Sequence, residues 1–106
     1  MIPALDAGKR VRFITTSDSK SSEPTVFVLR PLTAREWATF DTGRVPIVDV
    51  LRFGVVEVEN FAVPLRGADG KVTDAFLDAL PFAEAAEVAA QIVKLSRMEN
   101  DDRKNS

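Results

Sequence analysis

The sequence predicts an α+β fold in a single domain, with an N-terminal β-hairpin or small antiparallel sheet followed by three to four helices. Three observations predict it. Residues before 33 carry alternating or β-branched runs, apolar residues from Thr33 onward recur at helical spacing, and the two kinds of segment follow one another instead of alternating. A chain of 106 residues, 45% of them hydrophobic, has room for one modest core. The domain is expected over residues 1–98, with a polar tail over 99–106.

Residues 9–16, K-R-V-R-F-I-T-T, set Val11 and Phe13 against Arg10 and Arg12, the period of a strand with one wet face. The stretch 17–24, S-D-S-K-S-S-E-P, has almost nothing to bury and reads as a mobile loop or a short contact arm. Residues 25–32, T-V-F-V-L-R-P-L, suit a second strand, which Pro31 closes because it has no N–H for a ladder. An antiparallel hairpin is the simplest pairing of the two.

T-A-R-E at 33–36 has the form of a capping box, in which Thr33 and Glu36 satisfy each other's backbone N–H groups. Trp37 and Phe40 lie three apart on this short helix and share a face suited to pinning it to the sheet, before Asp41, Thr42 and Gly43 stop it. Pro46 suits the first turn of a second helix, in which Ile47, Val50, Leu51, Val55 and Val58 keep helical spacing. Gly54 and the valines weaken its far end, and residues 55–61, V-V-E-V-E-N-F, fit a strand as well as a helix.

Residues 61–72 hold Pro64, Gly67 and an Asp69-Gly70 turn signal, and so form a loop or a hairpin tip. Thr73 caps a short helix reaching Leu80, with Phe76, Leu77 and Leu80 on its apolar face and Pro81 ending it. The last helix, 82–97, is Ala-rich and repeats Ala85, Ala86, Ala89, Ile92, Val93 and Ser96 on one side. The segment 99–106, E-N-D-D-R-K-N-S, has no apolar residue and reads as a disordered or fraying tail. The expected core is Val11, Phe13, Val26, Val28, Trp37, Phe40, Val50, Leu51, Phe76, Leu77, Leu80, Ala89 and Ile92, with Phe27 and Leu29 as the competing inward pair of the second strand.

Composition excludes several chemistries. The chain has no His and no Cys, which removes Ser-His and Cys-His nucleophile pairs, structural zinc and disulfides. A net charge of −2, with no cluster of Lys and Arg along the sequence, gives no reason to expect nucleic acid or an anionic membrane as partner. The first residues lack the charged start and apolar run of a signal peptide, and no apolar run approaches the ~18 residues of a membrane span. A cytosolic protein with no cofactor and no metal is the expectation.

The candidate chemical sites have plain alternatives. Glu57 and Glu59 resemble a carboxylate pair, yet on a strand they share a solvent face. G-A-D-G-K at 67–71 echoes a phosphate loop but lacks its glycine-to-lysine spacing and the following Ser or Thr. Asp69, Asp74 and Asp78 lack the ligand pattern of a calcium loop. Trp37, flanked by Arg30, Arg35 and Glu36, suits either the core or an interface hot spot. The small-residue face of the last helix suits either packing within the domain or a partner helix.

Taken in order, P-T-V-F-V-L-R-P-L-T-A-R-E-W at 24–37, G-V-V-E-V-E-N-F at 54–61, a loop, a helix and L-S-R-M-E-N-D-D-R-K-N-S at 95–106 resemble the tail assembly chaperones of tailed bacteriophages. One departure is Val58, where that group often has an aromatic. The resemblance implies a non-enzymatic protein of the host cytoplasm that coats the hydrophobic tape measure protein, recruits tail tube subunits and leaves before the virion matures. It also implies a slippery site near the end of the message, and Arg103, Lys104 and Asn105 are codable as A AAA AAC, a heptamer that supports a −1 frameshift. On this reading the partner-binding residues are Ala86, Ala89, Ile92 and Val93, with Trp37 and Phe40 as a second contact. A structural virion component, such as a head decoration or head-tail connecting protein, and a small binding module directed at a host protein remain open, as does homo-oligomerisation.

Overall fold

The computed structural model describes residues 4–6, 8–40 and 46–104, with side chains as far as residue 97. Alternation in the first third of the chain produces the two expected strands, β1 (Val11–Phe13) and β2 (Val26–Leu29), paired antiparallel with Val11 opposite Leu29 and Phe13 opposite Phe27. A third strand, β3 (Val55–Glu59), pairs antiparallel with the other side of β2, giving the order β1-β2-β3. Four helices lie among the described residues: α1 (Ala34–Trp37), α2 (Ile47–Gly54), α3 (Asp74–Ala79) and α4 (Phe82–Lys104). The result is an α+β single domain.

The segment that fits both a helix and a strand is divided between them. α2 runs only to Gly54, and Val55 begins β3 directly. Glycine is a poor helix residue, the valines after it favour a pleated half-buried surface, and β2 offers an unpaired edge that takes the freed backbone groups. Helical spacing therefore holds for Ile47, Val50 and Leu51 but not for Val55 and Val58. A bulge between Val28 and Leu29 lets Val55 oppose Leu29. The extra residue resets the alternation of β3, so Val55 turns into the core at 1% exposure while Glu57 stays exposed.

Phe27 and Leu29 form the inward face of β2, at 2% and 0% exposure. Val26 and Val28 take the outward face. Val26 is nonetheless buried, outside the main core, opposite Glu59 in the register. On this outer face Arg12 of β1 reaches across β2 to Glu59 of β3 through two hydrogen bonds of 2.7 and 3.0 Å. The exposed ion pair adds little stability alone, but its aliphatic stems run over the middle strand.

The inner face is covered by α2 and α4, whose buried residues Val50, Leu51, Ala85, Val88, Ala89, Ile92 and Leu95 join Phe76 and Leu80 in one core. Val11, Phe13, Trp37, Phe40 and Leu77 sit at its margin, partly buried, where full burial is expected from the sequence. α2 and α4 approach closely at Gly54: a Cβ there would lie 2.5 Å from Ile92 Cδ1 and 2.7 Å from Ile92 Cγ2. Arg30 N–H donates to the Gly54 carbonyl at 3.0 Å, tying the end of β2 to the same point.

The polar loop is anchored at both ends. Residues Thr16–Asp18 form a 3-10 turn. The Thr16 N–H and hydroxyl both donate to Glu87, at 2.8 and 2.9 Å, and Ser17 donates to Glu84 at 2.8 Å. Asp18 accepts from the Thr25 N–H at 2.6 Å. These side chains supply by hydrogen bonding the anchoring that apolar residues would otherwise provide. α4 also runs past the expected Arg97 to Lys104, so residues 99–104 prolong the helix where a disordered or fraying tail is expected. Extending a helix that is already nucleated adds one backbone bond per residue fixed. The expected stop at Asp41, Thr42 and Gly43 lies outside the described residues.

One hydroxyl links the strand layer to α4: Ser96 Oγ accepts from the Leu32 N–H at 2.9 Å and donates to the Ile92 carbonyl at 2.9 Å. Ser96→Ala leaves the Leu32 N–H without its acceptor and is expected to cost about 1–2 kcal/mol. Urea unfolding measures this as a lower midpoint at unchanged slope.

Candidate functional site

The capping box is present as read from T-A-R-E. Glu36 N–H donates to Thr33 Oγ1 at 3.2 Å, and Thr33 N–H donates to Glu36 Oε1 at 2.9 Å. Glu36 also receives two hydrogen bonds from the Arg30 guanidinium, at 3.0 and 2.5 Å, and both side chains are 20% exposed. A forked, partly buried pair of this kind fixes geometry as well as charge. Arg30 holds the Glu36 carboxyl below its usual range, against a smaller opposing effect of burial. α1 is a single turn, too short to persist alone, and these contacts fasten it to the end of β2.

So fastened, α1 and the turn after it present Trp37 and Phe40 edge to face, with ring centroids 5.3 Å apart, the helix ending at Trp37 and not reaching Phe40 as expected. Phe40 in turn lies 5.8 Å from Phe53 of α2. Trp37 borders a hollow shared with Val93, Ser96 and Arg97 of α4. The three rings and Val93 form a strip across α1, α2 and α4, each partly open to solvent; Phe53 is 37% exposed. Contiguous apolar surface of this kind marks interaction sites.

Of the residues expected to bind a partner, Trp37, Phe40 and Val93 are brought together. Ala86 is half-buried on α4. Ala89 and Ile92 are 2% and 0% exposed and packed into the core, so the small-residue face of α4 serves the contact with α2 and is closed to a partner. The physical reason is Gly54, whose missing side chain lets Ile92 settle against α2. Phe53 was not anticipated. Its signal in the sequence is its position off the apolar stripe 47, 50, 51 and 54, where an exposed aromatic needs another reason to be present.

The acidic candidates resolve into structural roles. Glu59 pairs with Arg12, whose hydrogen bond holds its carboxyl below the usual range, and Glu57 stays exposed. Asp69 Oδ1 accepts from the Lys71 N–H at 3.0 Å in a turn with Gly70 at φ +78°, and the flanking Arg66 and Val72 form an antiparallel bridge. The 67–71 segment is thus a hairpin tip. Thr73 caps α3 through the Phe76 N–H at 3.1 Å, and Asp74 lies 3.5 Å from Arg52. Asp78 is exposed. Glu84, which anchors the polar loop, is held below the usual carboxylate range by hydrogen bonds from Thr15 and Ser17. Among the described residues no three potential ligands cluster for a metal ion, and no helix is long and apolar enough to cross a membrane.

No protein-family model, curated protein or solved structure matches the chain.

The depressed pKa of Glu36 has a defined sign. Its stabilisation is complete above the usual value of about 4.5 and is lost as the pH falls through the lower folded value. Acid titration is therefore expected to leave Trp37 emission steady to about pH 5 and to shift it below about pH 4.5. Glu36→Gln is expected to remove that part of the acid limb and to cost about 1–2 kcal/mol at pH 7. Thr33→Ala is expected to cost about 1 kcal/mol and to keep most of the pH dependence, because Arg30 is the main cause of the lowered Glu36 carboxyl and the Thr33 hydroxyl a minor one.

Proposed function

We propose that the chain is a non-enzymatic protein-binding assembly factor of the tail assembly chaperone kind, acting in the host cytoplasm. It holds an apolar segment of the tape measure protein against the strip of Trp37, Phe40, Phe53 and Val93, brings tail tube protein to it, and releases both as the tail is built. The observation that supports a binding role is the run of three aromatic rings, at 5.3 and 5.8 Å, left partly open at the margin of the core. The choice of clients comes from the sequence resemblance. Aromatic anchors dominate protein interfaces, and a strip of only a few side chains suits a hold that must later be released.

Co-expression of the chain with the tape measure and tail tube proteins of its own phage tests this. Capture of the tape measure protein is expected, falling roughly thirtyfold for Trp37→Ala and for Phe53→Ala, the loss typical of a hot-spot anchor. Both variants are expected to keep the wild-type circular dichroism. No capture, or retention of the chain in purified virions, contradicts the proposal, and retention points to a structural virion component instead. Mass spectrometry of infected cells supplies a second readout, a peptide crossing from Arg103 and Lys104 into the −1 frame.

A further inference from the structure

The chain carries a net charge of −2, yet cations stand at both ends of the aromatic strip. At the α4 end, Trp37 shares a hollow of ≈ 290 Å³ with Val93, Ser96 and Arg97. At the α2 end, Phe53 shares a second hollow, of ≈ 250 Å³, with Arg52, Arg66 and Lys71. Both are smaller than the ~300–1,000 Å³ of small-molecule sites, and each suits one or two side chains. Arg66 is fixed by donating to the carbonyls of Gly70 at 2.9 Å and Val56 at 3.2 Å, neutral acceptors that leave its charge uncancelled. Among the described residues Arg66, Lys71 and Arg97 form no ion pair, and Arg52 has only Asp74, 3.5 Å away and 85% exposed.

The spacing of the rings, ordinary for packed aromatics, accommodates a helical occupant. Successive centroids are 5.3 and 5.8 Å apart, close to the helical pitch of about 5.4 Å, so apolar side chains one turn apart on a docked helix meet successive rings. We infer that the strip takes an amphipathic helical segment of a partner protein whose apolar stretch is flanked on both sides by Asp or Glu, one flank reaching Arg97 and the other the corner formed by Arg52, Arg66 and Lys71. This rests on the strip being the docking face of the proposed function, and it adds the chemistry by which a client is chosen. Rim charges of this kind select the partner and speed its approach more than they add affinity. Aromatics beside cations also suit single-stranded nucleic acid, and the net negative charge of the chain opposes that occupant.

The test uses two synthetic amphipathic peptides of about 14 residues, roughly four helical turns, with the same apolar positions, one flanked by Glu and one by Lys. Each is titrated into the full chain while the emission of Trp37, the one tryptophan present, is followed. The Glu-flanked peptide is expected to bind about tenfold tighter at low salt, with the ratio falling toward one near 1 M salt. The double variant Lys71→Glu, Arg97→Glu is expected to reverse the preference, and Phe53→Ala to weaken both peptides alike. Equal affinities, tighter binding of the Lys-flanked peptide, no binding by either, or stronger binding of oligo(dT) than of both overturns the inference. Peptide selectivity without capture of the tape measure protein defeats the assembly role and leaves this inference standing. Capture without any flank preference does the reverse.

Discussion

The contact between Gly54 and Ile92 is the constraint on which the rest of the structure depends. At that point α2 ends, β3 begins, the Arg30 N–H meets the Gly54 carbonyl, and α4 passes within the width of a missing methyl group. Interiors at close-packed density have no slack for an added carbon among atoms already 2.5 to 2.9 Å from where it would sit. The glycine costs helix propensity, about 1 kcal/mol against alanine, and that cost is offset by the burial of Ile92 on α2. The same approach fixes the height of α2 over the sheet. Phe53, one residue before Gly54, is thereby carried to the edge of the domain beside Phe40.

Around this apolar centre, polar side chains set the position of the parts that the core does not reach. Glu36 joins a helix cap to an ion pair and so aims Trp37 toward α4. Glu84 and Glu87, near the start of α4, hold the turn at Thr16–Asp18. Ser96 joins the strand end at Leu32 to the α4 backbone. The contacts of Glu84, Glu87 and Ser96 span more than sixty positions while those of Glu36 are local, and together they frame a core whose outer edge carries three aromatic rings, with cations at both ends. The proposed docking face is thus a by-product of how the core closes.

Features legible in the sequence are those whose cause is local. The capping box at Thr33 and Glu36, the Thr73 cap, the Asp69-Gly70 turn and the alternation in β1 depend on neighbours a few residues away, and each is formed. The α+β class followed from the order of such segments. What escaped depended on distant partners. Gly54 reads as a helix weakness until Ile92 is beside it, and the division of 47–59 between α2 and β3 needs the free edge of β2. The loop at 17–24 lacks apolar residues, but its anchors are carboxylates more than sixty positions away. For the site, Trp37 and Phe40 were legible as an apolar pair three residues apart, and Val93 as part of the apolar side of the last helix. Ala89 and Ile92 were not separable from them, because periodicity shows which face of α4 is apolar and not whether the chain or a partner covers it.

A double-mutant cycle at Gly54 and Ile92 tests the central constraint most directly. Gly54→Ala alone is expected to lower unfolding stability by about 1–3 kcal/mol, and Ile92→Ala alone by about 2–5 kcal/mol. In the Ile92→Ala background the added methyl group fills space instead of colliding, so Gly54→Ala is expected to become neutral or stabilising there, with a coupling of about 1–3 kcal/mol. Additive effects, with Gly54→Ala equally costly in both backgrounds, would contradict the account.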